Sequence, residues 1–106
     1  MNDRIEHLRT AVQVTSRRHA RHIESVPVVE MMGDKTVWEG VVEVFQISGH
    51  AKAERCYAWS YGEGKGKQLV TILEIPPVTD AVTAVRASIM AAARGTASPA
   101  KSMGTP

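Results

Sequence analysis

At 106 residues, with 43% hydrophobic and 23% charged positions, the chain has the size and composition of one globular domain, and a second domain is excluded. Thirteen Lys and Arg against 11 Asp and Glu leave a formal net charge of +2, too small to single out any class of partner. No apolar run approaches bilayer-spanning length, the opening MNDRIEHLRT has no apolar signal region, and a lone cysteine forms no internal disulfide, so a cytoplasmic location is expected.

Ile5, Leu8, Val12, Thr15, His19 and Ile23 recur at spacings of three and four, which predicts a helix over about residues 3–23. The β-branched Val12, Val14 and Thr15 weaken the middle of that stripe, so a shorter helix followed by a loose basic segment competes with it. Residues 1–26 are accordingly expected as a helix or a partly ordered basic segment ahead of one domain over residues 27–95.

From Pro27 the pattern becomes extended. Val28 to Met32 reads as a strand, Gly33-Asp34 as a two-residue turn suited to a type II′ hairpin, and Lys35 to Ile47 as a second strand. Trp38, Val42 and Val44 alternate with Glu39, Val41 and Glu43, which places the two glutamates on a polar, solvent-facing side. Phe45 and Ile47 are out of phase with the first set, so a bulge is expected near Val44 or Phe45.

Ser48 to Glu54 reads as a loop. Arg55 to Tyr61 then alternates the large Tyr57, Trp59 and Tyr61 with the small Cys56, Ala58 and Ser60, so the ring row is either thick core or a contact surface. GEGKGK is a turn, and Gln68 to Ile75 suits a strand apolar on both faces. After Pro76-Pro77, Thr79 is placed to cap a helix over about 80–94, with Val82, Val85, Ile89 and Ala92 as its stripe and Gly95 as its stop. The small, polar residues 96–106 are expected to be disordered. The sum is an α+β fold: a four-stranded antiparallel meander over about 28–32, 35–47, 55–61 and 68–75, with the last helix on one face. One helix does not cover a sheet apolar on both sides, which leaves the remainder to the N-terminal helix or to another copy of the chain.

Chemistry-bearing constellations are incomplete. Cys56 with His50 is the one pair with nucleophile and base character, but a cysteine on the small side of a strand suits packing better. His19 and His22 supply two metal ligands where more are needed, beside arginines that repel a cation, so no metal and no cofactor are expected. Glu39 and Glu43 lie roughly 13 Å apart by strand rise, too far for a glycosidase pair. GEGKGK lacks the spacing and the Ser or Thr of a phosphate-binding Walker loop. The order helix, strands, helix is also that of double-stranded RNA-binding domains, but Thr79, Asp80, Thr83 and a single Arg86 stand where that family sets phosphate-gripping lysines.

The run WEGVVEVFQISGHAKAERCYAWSY together with EIPPVTDAVTAVRASI resembles a family of small uncharacterised bacterial proteins that share a strand ending near Gly-His, an Arg-Cys-Tyr-Ala-Trp strand and a Pro-Pro-Val lead-in to a final helix. The likeness spans about residues 37–94 and implies a bacterial source and a domain limit, with no activity attached. The expectation is therefore a small non-catalytic binding module that engages a protein partner or a second copy of itself. Its expected contact residues are Tyr57, Trp59 and Tyr61 with loop residues His50 and Lys52. The alternative is a nucleic-acid binder using Arg17, Arg18 and Arg21 with Lys65 and Lys67.

Overall fold

The computed structural model describes residues 3–61 and 68–93. The expected disordered tail, and Lys65 and Lys67 of the GEGKGK segment, lie outside the described residues. The elements run α1 (Asp3–Ser16), β1 (Ala20–Met32), β2 (Lys35–Ile47), β3 (Arg55–Tyr61), β4 (Gln68–Leu73) and α2 (Ala81–Ala93). The strands form one antiparallel sheet in the order β1-β2-β3-β4, so the fold is the expected α+β meander with a helix at each end of the chain.

The first helix is shorter than its apolar spacing suggested. Ser16 turns its hydroxyl back onto the Val12 carbonyl at 2.7 Å, and Arg17 adopts a left-handed φ of 59° while donating to the Gln13 carbonyl at 2.8 Å. The Gln13 side chain then accepts from the Ala20 amide at 3.0 Å, which starts the next strand. The basic segment expected as helix or loose chain is thus the turn and the first rungs of β1, a strand of 13 residues in place of the five expected. At its far end Gly33 has φ of 66° and Asp34 is not in the positive-φ region, the pattern a type II′ hairpin requires.

The sheet carries a helix on each face. Against one face, the alanine-rich side of α2 (Ala81, Ala84, Val85) covers Val28, Val42, Val44, Tyr57, Trp59 and Val70. Against the other, Leu8 and Val12 of α1 cover Ala20, Phe45, Ile47, Cys56 and Ala58. On β3 the large Tyr57 and Trp59 meet the alanine side of α2, and the small Cys56 and Ala58 meet Leu8 and Val12 of α1, as close packing of both layers requires. This explains Phe45 and Ile47: they are in phase with Glu43, on the α1 face, and β2 is apolar there because it is covered on both sides. The bulge expected in β2 near Val44 or Phe45 is not there; β2 alternates regularly at that point, and the extra residue opposite it is Ile23 of β1, skipped between the pairs His22↔Phe45 and Glu24↔Val44.

α2 begins with Asp80 as its cap, where Thr79 was expected. Asp80 Oδ1 accepts from the Thr83 amide at 2.8 Å, and Thr83 Oγ1 accepts in return from the Thr79 and Asp80 amides at 2.9 and 3.0 Å. The Thr83 amide and hydroxyl hold the Asp80 carboxyl below its ordinary value. The peptide bond between Pro76 and Pro77 is cis.

Candidate functional site

The most concentrated polar chemistry lies under α1 at Glu43, the one buried charged residue among the described residues, with no measurable exposure. The expectation of a solvent-facing glutamate is corrected here, because α1 lies over that half of the strand. Ser25 donates its hydroxyl to Glu43 Oε1, His22 Nε2 lies 2.7 Å from the same oxygen, and Arg4 of α1 donates to Oε2. His22 also stands edge-on to Phe45, with ring centroids 5.4 Å apart. In a regular strand His22 and Ser25 point to opposite faces; the Ile23 bulge restores them to one face. Burial alone pushes the Glu43 carboxyl up, but the Ser25 hydroxyl, the His22 ring and the Arg4 guanidinium outweigh it and hold the pKa below 4.5.

Serine, histidine and glutamate are the residue types of a hydrolytic triad, but the order of contacts is wrong for one. A triad places the imidazole between nucleophile and acid, whereas here the carboxylate lies between serine and imidazole and is neutralised by Arg4. A carboxylate held in its ionised form is also a poor base. The arrangement ties α1 to β1 and β2.

Cys56 is buried under α1, its thiol pushed up to about 12 by desolvation. His50 is committed elsewhere, its Nδ1 accepting from the amides of Lys52 and Ala53 at 3.0 and 3.1 Å, so it closes its own loop. His19 is exposed ahead of β1 while His22 faces Glu43, and no cluster suited to a metal ion occurs among the described residues.

The ring row is core where it is described. Tyr57 and Trp59 are 1% and 3% exposed beneath α2, so the contact role expected of them is closed off; the side chain of Tyr61 lies outside the described residues. Tyr57 donates its hydroxyl to Glu74 Oε2 and also approaches the Thr79 carbonyl at 3.3 Å; desolvation and the Glu74 carboxylate raise its pKa. Trp59 packs against Trp38 with centroids 5.9 Å apart, and Trp38 folds over Gly40 so closely that a Cβ there would meet its ring at 2.8 Å. Lys52 is exposed on the β2–β3 loop, away from the ring row.

The arginines of the expected basic segment lie at one end of the sheet. Arg17 and Arg18 occupy the α1–β1 turn, and Arg21 bonds Gln46, its cross-strand neighbour, which is itself paired with Arg55. Beside Arg21, Gln46 and Arg55 lies an open cleft of about 350 Å³, lined also by Ile23, Glu54 and Glu74. Two arginines and two glutamates make the lining neutral, unlike a phosphate-binding groove. The described residues that flank the GEGKGK segment, Tyr61 and Gln68, lie at the opposite end of β3 from Arg55.

A different surface stands out on the β1–β2 hairpin. β3 pairs with β2 only from Glu43 to Gln46, so the outer hairpin projects beyond the rest of the sheet. One of its faces is covered by Trp38 and α2, with Arg86 bonding Glu30 at 2.9 Å. On the other, beyond the end of α1, Val29, Met31 and Val41 are 54%, 46% and 38% exposed, with Glu39 among them. Periodicity missed this patch, because its apolar residues read as ordinary half-buried strand positions. No protein-family model, no curated protein and no solved structure matches the chain.

Proposed function

We propose that the protein is a small non-catalytic binding module that engages another protein through the outer face of the β1–β2 hairpin. The observation that carries this reading is the exposed row Val29, Met31 and Val41 on a projecting two-stranded ribbon. Ribbons of two strands are marginal in water without a packed face, and a contiguous apolar patch at a sheet surface marks a contact site. The buried thiol of Cys56, the self-contained His50 loop and the contact order at Glu43 support a role without covalent or acid–base chemistry. The lone buried thiol supports a reducing, cytoplasmic setting.

A photo-crosslinking amino acid placed at Val41 or Met31 tests the reading in the cells that make the protein. Discrete adducts are expected from both positions and none from Val14, which is 72% exposed on α1 and isolated from the patch. Equal labelling from all three positions, or none from any, refutes it.

A further inference from the structure

Glu39 and Glu43 project from β2 on the same face, opposite Val29 and Ser25 respectively. At Glu43 the face is complete: a helix lies over the strand, sets Leu8 and Val12 onto apolar neighbours and brings Arg4 to the carboxylate. Four residues along, the same ingredients lack their cover. Glu39 is exposed among Val29, Met31 and Val41 and has no ion pair among the described residues. By strand rise the two carboxylates lie roughly 13 Å apart, and a helix with its side chains is about 10–12 Å across. The outer part of this face is thus about one helix wide along the strand.

We propose that the outer hairpin face docks an amphipathic helix of a partner protein, apolar along one side and carrying a Lys or Arg set against Glu39. This rests on the hairpin face being the contact surface and names what that surface recognises. Charge argues for a partner over a second copy of the chain. A two-fold contact centred on the patch draws Glu39 toward its own equivalent, and like charges facing each other across strands are destabilising. The patch sets three apolar side chains around a carboxylate that has no ion pair among the described residues. A helix bearing a cation meets both features at once.

Two short leucine-rich amphipathic peptides with the same apolar side, one with lysine and one with glutamate at the polar positions, serve as probes. In fluorescence anisotropy titrations the full chain is expected to bind the lysine peptide saturably and at least about tenfold more tightly than the glutamate peptide. Glu39→Lys is expected to reverse that preference with an unchanged melting temperature, and Val29→Ser to weaken both complexes. Equal affinities, or a preference that survives Glu39→Lys, overturn the proposal. So does absence of binding to both peptides; if crosslinks from Val41 and Met31 nevertheless form, the contact-surface reading stands and only the helix assignment fails. Crosslinks that join two copies of the chain, or that land on residues 94–106 of the same chain, overturn it as well.

Discussion

His22 and Ser25 reach the same oxygen of Glu43 although three positions separate them along one strand. The extra residue Ile23 makes this possible by shifting the strand's alternation by one between the two. A buried carboxylate thereby gains donors from two rungs of β1 in addition to Arg4, and α1 is fixed at its first turn. With two fully buried apolar side chains and 14 residues, α1 is too short and too weakly amphipathic to hold as a helix without such contacts.

Replacing Glu43 with Gln is expected to destabilise the fold by about 2–3 kcal/mol, because the Arg4 and His22 donors lose a charged acceptor in a buried setting. Arg4→Met is expected to cost a similar amount, because it leaves the buried Glu43 carboxylate without its guanidinium. Urea denaturation followed by circular dichroism measures both.

Acid stability follows from the same carboxylate. Its folded pKa is below the ordinary 4.5, so its contribution is fully present above 4.5 and is lost as pH falls through the folded value. Stability of the wild type is expected to decline below about pH 5. The Glu43→Gln variant is expected to show a flatter decline over the same range, and an unchanged slope contradicts the assignment.

Gly40→Ala is expected to cost about 1–3 kcal/mol, an overpacking effect out of proportion to one methyl group. The added Cβ would meet the Trp38 ring at 2.8 Å, and the ring is itself backed by Trp59. A change in tryptophan emission together with the lower melting temperature checks that the ring has been displaced.

Trp59 and Cys56 report burial directly. In a Trp38→Phe variant, acrylamide is expected to quench the remaining indole several-fold less than in the unfolded chain, because Trp59 is 3% exposed. A thiol reagent is expected to label Cys56 slowly in the native state and rapidly in urea, given its burial and its raised pKa.

The sheet and its last helix were legible in the sequence because their signals are local. Trp38, Val42 and Val44 alternate, Gly33-Asp34 turns the chain, and Asp80 precedes an apolar stripe at helical spacing. The start of β1 was hidden by the bulge, since across Ala20 to Ser25 neither a period of two nor one of 3.6 persists; Ile23, read as the last residue of a helical stripe, is the extra strand residue. Glu43 was misread for another reason. Its polarity signals solvent unless Arg4 is known to lie over it, and a pair 39 residues apart leaves no mark in periodicity. Phe45 and Ile47 recorded the second covering helix, but one strand apolar on both sides reads equally as a bulge.

β1 and β2 pair at twelve positions and β3 and β4 at six, whereas β2 and β3 meet at only four. In mechanical terms the sheet is two ribbons joined by a short seam. Each helix bridges that seam from its own side, α2 resting on Val42 and Val44 as well as Tyr57 and Trp59, α1 on Phe45 as well as Cys56 and Ala58. The helices act as rivets across the β2–β3 line, one on each face of the sheet.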